Sequence, residues 1–134
     1  MGASQSIFKL NFEGMQNIVK KNTYSKFLII NTLESNNQNC LIKNTLSIEE
    51  EIAEITKYIK IDKTINIVIY GENSLDNRVL EKYEQLRKLG FDNVYLYLGG
   101  LFEWVLLQDY YSPEQFPTTS ENIDLLKYKG KNII

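Results

Sequence analysis

The stretch that decides the fold runs from Ile65 to Gly90. Residues 65–70, Ile-Asn-Ile-Val-Ile-Tyr, form an apolar run that predicts a strand buried on both faces. A turn-like segment follows at residues 71–74, Gly-Glu-Asn-Ser, and Asp76 is placed to cap a helix predicted from about Asn77 to Leu89. Gly90 takes the position of a helix-ending glycine. The inward-facing positions of this helix are predicted to be Val79, Leu80, Tyr83 and Leu86.

The same alternation of strands and helices continues in both directions. Residues 27–30 and 94–97 predict two further buried strands. Ser47 and Glu50 have the spacing of a capping box, before a helix whose apolar stripe is Ile48, Ile52, Ile55 and Ile59. Other helices are predicted at about 14–21, 101–110 and 123–127. The pattern predicts an α/β fold, a small, mostly parallel sheet flanked by helices on both faces. We expect a tail at residues 1–13 and one domain at residues 14–134, with a C-terminal extension from about residue 109.

Composition narrows the function classes. The chain has 134 residues, a net charge of -2 and no long basic cluster, so we expect no nucleic-acid partner. It contains no histidine, which excludes Ser-His and Cys-His catalysis and imidazole metal sites. We expect no cofactor and no bound metal. One cysteine, Cys40, cannot form an internal disulfide, which suits a reducing compartment. With no long apolar run and no secretory signal, an intracellular location is expected, cytoplasmic or at the cytosolic face of a membrane; mitochondrial, ciliary and virion assemblies are the alternatives.

Four features in order resemble those of the rhodanese family. They are the apolar strand from Phe27 to Asn31, the strand ending Ile67-Val68-Ile69-Tyr70, the turn Leu89-Gly90-Phe91-Asp92-Asn93-Val94, and the segment Leu98-Gly99-Gly100-Leu101-Phe102-Glu103-Trp104. Their spacing matches that family over roughly residues 14 to 108. The resemblance implies a rhodanese-like fold, with Trp104 in the core.

The resemblance also implies that the catalytic cysteine is missing, because the position after the strand-ending tyrosine is Gly71. In active members that thiol lies among backbone N–H groups at a helix N-terminus, which favour the thiolate. The acidic residue expected after the first long strand corresponds to Asn31. Glu72 and Asp76 are expected to repel anionic substrates, an effect that Arg78 partly offsets. We therefore interpret the loop as vestigial and the chain as not an enzyme. The vestigial loop comprises Gly71, Glu72, Asn73, Ser74, Leu75 and Asp76.

Two further features suggest contacts with other molecules. The aromatic-rich region between residues 110 and 119 predicts a docking surface that includes Tyr110, Tyr111, Phe116 and Pro117, unless the C-terminal tail folds back over it. The start, Met1-Gly2 with Ser6, fits an N-myristoylation pattern at Gly2. A single acyl chain would give only weak membrane association.

The function hypothesis is a non-catalytic rhodanese-like module that acts as a structural or protein-interaction subunit, within a large assembly. One alternative is a sensor that binds an anion or a small molecule in the residual loop. A second is a sulfurtransferase or phosphatase-like enzyme that uses Cys40, and Ser74 is the weakest catalytic candidate because no histidine could activate it.

Overall fold

The computed structural model describes residues 7–21 and 26–134, and within them four strands form one parallel sheet. The strands are β1 (Phe8–Leu10), β2 (Phe27–Asn31), β3 (Asn66–Tyr70) and β4 (Val94–Tyr97), and they pair in the order β1-β4-β3-β2. The helices are α1 (Phe12–Lys21), α2 (Ile48–Ile61), α3 (Arg78–Lys88) and α4 (Gly100–Tyr110). The predicted α/β class with helices on both faces is confirmed.

The alternation of side chains along β3 separates two apolar layers. Val68 and Tyr70 face the layer that α1 and α4 cover, where Trp104 is fully buried as predicted. Ile67 and Ile69 face the other layer, which is covered by α3 and, more loosely, by α2. Because both faces of the central strands are buried, the continuous apolar runs in the sequence are what the sheet requires.

The register of the strands brings their carboxyl ends to one edge. Asn31 pairs with Tyr70, and Tyr70 pairs with Tyr97. The N–H of Thr32 donates to the carbonyl of Tyr70 at 3.0 Å and extends the pairing by one residue. The loops that follow β2 and β3 therefore leave the sheet side by side. In open parallel sheets this edge is where binding sites form.

The structure confirms two predictions about helix ends, the capping box before α2 and the glycine after α3. Ser47 and Glu50 form the predicted capping box: the Ser47 hydroxyl accepts from the Glu50 N–H, and the Glu50 carboxylate accepts from the Ser47 N–H. Gly90 has a φ of 103°, a left-handed conformation that favours glycine at the end of a helix.

Several predicted positions were wrong. Phe8–Leu10 form β1 rather than a tail, because these three residues pair with β4 at the edge of the sheet. No helix forms at residues 123–127; residues 125–128 form turns, with the N–H of Lys127 bonded to the carbonyl of Asp124. Ile52 is 63% exposed and Leu80 is 44% exposed, since α2 and α3 present narrower apolar faces to the sheet than a full stripe.

No helix within the described ranges is long and apolar enough to cross a membrane.

Candidate functional site

The start of the loop after β3 is attached to the first turn of α4 by two backbone hydrogen bonds. The carbonyl of Gly71 accepts from the N–H of Leu101 at 2.9 Å, and the carbonyl of Glu72 accepts from the N–H of Phe102 at 2.9 Å. Gly100 has a φ of 69°, and a Cβ there would lie 2.7 Å from the Gly71 carbonyl oxygen. The second glycine of the Gly99-Gly100 pair is therefore required by the close approach of the two backbones.

The carboxylate of Asp76 lies at the centre of this loop and accepts at least five hydrogen bonds. Its Oδ2 accepts from the N–H of Glu72 at 3.0 Å and from the Thr32 hydroxyl at 3.1 Å. Its Oδ1 accepts from the N–H of Arg78 at 3.0 Å. The guanidinium of Arg78 donates to both oxygens, from Nε at 2.9 Å and from Nη2 at 3.0 Å. The backbone N–H groups of Glu72 and Arg78 thus already have an anionic partner within the chain.

Gly71 leaves little room for any side chain. A Cβ built on it would lie 2.5 Å from Asp76 Oδ2, 2.6 Å from a methyl carbon of Val79 and 2.9 Å from the Thr32 hydroxyl oxygen. All three distances are shorter than ordinary van der Waals contact, so a larger residue at position 71 would force its neighbours to move. The space that a side chain would need is filled by the Asp76 carboxylate and by the core.

The electrostatics of the loop centre on Arg78. Besides Asp76, its guanidinium lies 3.6 Å from a carboxylate oxygen of Glu72 and 3.9 Å from one of Glu34. Burial tends to raise the pKa of Asp76, whose side chain is only 4% exposed. The hydrogen bonds from Arg78 and from the two backbone N–H groups outweigh burial and hold that pKa below its usual value. The sequence suggested that the Asp76 carboxylate repels anionic ligands. In the structure it is an internal anion whose charge is paired within the chain.

The remaining loop residues have structural partners or face solvent. The Asn73 side chain accepts from the N–H of Leu75 at 2.9 Å and donates to the carbonyl of Tyr128 at 2.9 Å. Ser74 and Leu75 are exposed. The bond to Tyr128 attaches the loop to the C-terminal segment. Beside this attachment is an open groove of about 610 Å³, lined on one side by loop residues and on the other by Lys129, Lys131 and Ile133.

Two side chains considered for this site are engaged in other contacts. Cys40 is buried, and its thiol donates to the carbonyl of Ser120 at 3.5 Å. The thiol is therefore not the group that the N–H groups of Glu72 and Arg78 bind, since both donate to Asp76. Asn31 is buried at the end of β2, where its amide exchanges hydrogen bonds with the Gln38 side chain and accepts from the N–H of Leu33. Both residues stabilise the segment between β2 and α2.

The predicted docking residues separate into two groups. Tyr110 and Tyr111 are exposed, and their rings form a T-shaped pair at 4.8 Å. Phe116 is buried against Trp104 and was wrongly placed on an accessible surface, because the turn after α4 folds its ring into the core. Pro117 is half-buried, and its carbonyl accepts from the Trp104 indole N–H at 3.1 Å.

The C-terminal segment folds back, but not over the exposed tyrosines. It pairs with the segment after β2 through the bridge between Ile42 and Thr118, and the N–H of Thr119 donates to the carbonyl of Leu41 at 2.8 Å. Further along it buries Tyr128. Gly2, the lipidation candidate, lies outside the described residues. Within the part of the chain that the structure describes, no group of three or more His, Cys, Asp or Glu side chains could hold a metal ion.

Comparisons with known proteins agree with this architecture. The family model for the Rhodanese-like domain matches residues 17–107. Similar solved structures include the solution NMR structure of the rhodanese-like domain of the Alr3790 protein from Anabaena sp., with 18% identity, a TM-score of 0.59 and coverage of 94% of this chain and 90% of that one. Ygr203w, a yeast protein tyrosine phosphatase of the Rhodanese family, has 15% identity and a TM-score of 0.60, with 91% and 99% coverage.

Another similar structure is that of thiosulfate sulfurtransferase from Pseudomonas aeruginosa, with 15% identity, a TM-score of 0.59 and coverage of 75% of this chain but 19% of that one. At these identities the likeness shows the fold alone. No curated protein matches the sequence.

Proposed function

Because the chain belongs to the rhodanese-like domain family, we propose that it is a non-catalytic member that acts as a structural or protein-interaction subunit. The observation that carries this proposal is the position of the Asp76 carboxylate, 2.5 Å from where a Cβ of residue 71 would lie. The place from which a reactive side chain would project is occupied by an anion that belongs to the protein itself.

Sulfur transfer needs a thiolate that can accept a sulfur atom and hold it as a persulfide. Gly71 has no side chain, and the N–H groups of Glu72 and Arg78, which could stabilise such an anion, donate to Asp76. Cys40 is buried, and its thiol contacts the carbonyl of Ser120. Position 71 therefore has no thiol, and the thiol of Cys40 is buried outside the loop. Both observations favour a non-catalytic role.

The arrangement also favours a structural role over the sensor alternative. An anion could use the donors of Thr32, Glu72 and Arg78 only by displacing Asp76, which accepts from all three. The displaced carboxylate would then need new donors, and Glu72 and Glu34 near Arg78 would repel a second anion. We therefore expect no measurable binding of sulfate or phosphate by the native loop.

Two assays test the catalytic half of the proposal. In a thiosulfate–cyanide assay and in an assay with a chromogenic aryl phosphate, the purified chain should match the blank without protein. The Cys40→Ser variant should match it too. Turnover by the native chain that disappears in Cys40→Ser would contradict the proposal, because Cys40 is the only cysteine in the sequence.

The interaction half is tested by isolating the tagged full chain from its native cells and identifying its partners by mass spectrometry. A scaffold should be recovered in stoichiometric amounts with other proteins. Recovery of the chain alone, from lysates prepared at low and at physiological salt, would contradict the interaction role. An intracellular location and acylation of Gly2 stay predictions, and imaging of a C-terminally tagged chain beside its Gly2→Ala variant would test both.

A further inference from the structure

Charge is distributed unevenly along this chain. Residues 89–126 contain six acidic side chains and no lysine, arginine or histidine. All 15 lysine and arginine residues of the chain therefore lie outside this region, although the net charge of the whole chain is only -2. The acidic region includes α4, the turn after it and the first part of the C-terminal segment. Such an asymmetry favours partners of opposite charge.

Within this region an acidic-aromatic surface is formed by Asp109, Tyr110, Tyr111 and Glu114, all of which are exposed. The two tyrosine rings pack at 4.8 Å, and Tyr111 stacks on the buried Phe116 at 5.9 Å. The buried Phe116 thus packs against one side of the Tyr111 ring, and both tyrosine side chains stay exposed to solvent. Tyrosine is enriched where proteins bind one another because it buries a large area with little loss of side-chain freedom.

The turn that carries Glu114 is held by two hydrogen bonds to Ser112 within the turn and by one from α1. The N–H of Phe116 donates to the carbonyl of Ser112 at 3.1 Å, and the N–H of Gln115 donates to the Ser112 hydroxyl at 3.2 Å. The Gln16 side chain on α1 donates to the carbonyl of Gln115 at 3.0 Å. Because the turn is braced in this way, the surface is already organised before a partner arrives.

A shallow groove of about 420 Å³ begins at Pro113, in the same turn. Its walls include Pro117 and Glu121, and the Gln108 side chain is fixed in it by hydrogen bonds to the carbonyl of Phe116 at 2.8 Å and the Thr118 hydroxyl at 3.0 Å. Lys43 lies next to this groove, since its N–H donates to the carbonyl of Pro117 at 3.0 Å. Among the described residues, none of the observed ion pairs involves Asp109, Glu114 or Glu121.

We propose that the acidic-aromatic surface and the adjoining groove bind a basic, extended segment of a partner protein. The inference rests on the proposed interaction role and names the chemistry of its partner. Arginine side chains would stack on the two tyrosine rings and pair with Asp109 and Glu114.

The test uses the full chain and a short fluorescein-labelled peptide in which arginine and proline alternate. Binding is measured by fluorescence anisotropy at several salt concentrations, beside a peptide of equal length with glutamate in place of arginine. We expect the arginine peptide to bind with an affinity that falls as salt rises, and the glutamate peptide not to bind. Equal binding of both peptides, or of neither, would overturn the proposal.

Three variants locate the contact. Tyr110→Ser/Tyr111→Ser should weaken binding by about tenfold, because two exposed cation–π contacts are lost. Asp109→Asn/Glu114→Gln should weaken binding and flatten its salt dependence. Ile52→Ser, which changes an exposed apolar side chain on α2, is the matched control and should leave binding unchanged. A tyrosine variant that binds like the native chain would rule out this surface.

Folding is monitored separately through the fluorescence of the buried Trp104. The tyrosine variant should still unfold in one cooperative transition, at a slightly lower temperature because the stacking of Tyr111 on Phe116 is lost. Failure of this inference is distinguishable from failure of the proposed function. If native partners remain bound to the tyrosine variant, the chain is an interaction module that uses another surface. If the chain turns over thiosulfate, the proposed function itself is wrong.

Discussion

Replacing Gly71 tests whether residue 71 and Asp76 occupy the same space. In Gly71→Ala, the new methyl group would lie 2.5 Å from Asp76 Oδ2 and 2.6 Å from Val79. Val79 is buried in the core, so relief requires the carboxylate to move away from the N–H groups of Glu72 and Arg78. Overpacking costs about 1–3 kcal/mol. A buried donor left without a partner costs about 1–3 kcal/mol more.

We therefore expect Gly71→Ala to lower the free energy of unfolding by about 3 kcal/mol. The melting temperature should fall by roughly 10 °C. Asp76→Ala alone should cost about 2 kcal/mol, since it removes charge-assisted hydrogen bonds. In the double variant the methyl group of residue 71 enters space that Asp76 has left. Its destabilisation should be smaller than the sum of the two single effects by at least about 1 kcal/mol.

The assay is urea unfolding followed by the fluorescence of Trp104, which is the only tryptophan and is fully buried. The control pair is Gly71→Ala with Leu75→Ala, because Leu75 is an exposed side chain of the same loop. That pair should be additive. Additive effects for Gly71→Ala and Asp76→Ala would refute the reasoning, since they would mean that the two side chains do not compete for space.

Three further predictions concern single side chains. Asp76→Asn should cost about 1–3 kcal/mol at neutral pH. Since the pKa of Asp76 is lowered in the folded chain, its stabilisation is complete above the unfolded pKa and is lost as pH falls, so native and variant chains should converge in urea titrations below about pH 4. Ser47→Ala should lower stability by about 1 kcal/mol in thermal melts, whereas Ser74→Ala, at an exposed loop serine, should not. Tyr128→Phe should be neutral or slightly stabilising in the same melts. Burial raises the pKa of Tyr128 to about 12, and its hydroxyl has no hydrogen-bond partner among the described residues, so a loss above about 1 kcal/mol would contradict this account.

The sequence predicted most of the sheet because its central strands are buried on both faces. Runs such as Ile67 to Tyr70 carry that signal within a few residues. β1 was missed because it has only three residues and lies at the edge, where Phe8 and Lys9 are exposed. Residues 123–127 were mistaken for a helix because apolar spacing over so short a segment does not separate a helix from turns. Edges and short segments depend on tertiary contacts that spacing cannot report.

The candidate site was only half predictable, for a similar reason. Gly71 at the end of β3 and Asp76 near the start of α3 could both be read from the sequence. That Asp76 turns back to accept from Thr32, at the end of a different strand, could not. Thr32 and Asp76 are 44 residues apart, and they meet only because β2 and β3 are paired in register. The spacing from Gly71 to Asp76 therefore predicts the contact between Asp76 and Thr32 only when the register of β2 and β3 is already known.

The internal carboxylate has a consequence for where the chain can bind other molecules. A cluster of N–H groups attracts an anion because each unpaired donor is costly when it is buried. Here Asp76 pairs the N–H groups of Glu72 and Arg78 within the chain, so an external anion would have to displace this carboxylate to use them. Asn73 is bonded in turn to the carbonyl of Tyr128, which ties the loop to the C-terminal segment. The edge of the sheet is thereby stabilised as structure. If the proposed interaction role holds, the exposed aromatic and acidic residues at the end of α4 and in the turn after it are the better place for a partner to bind.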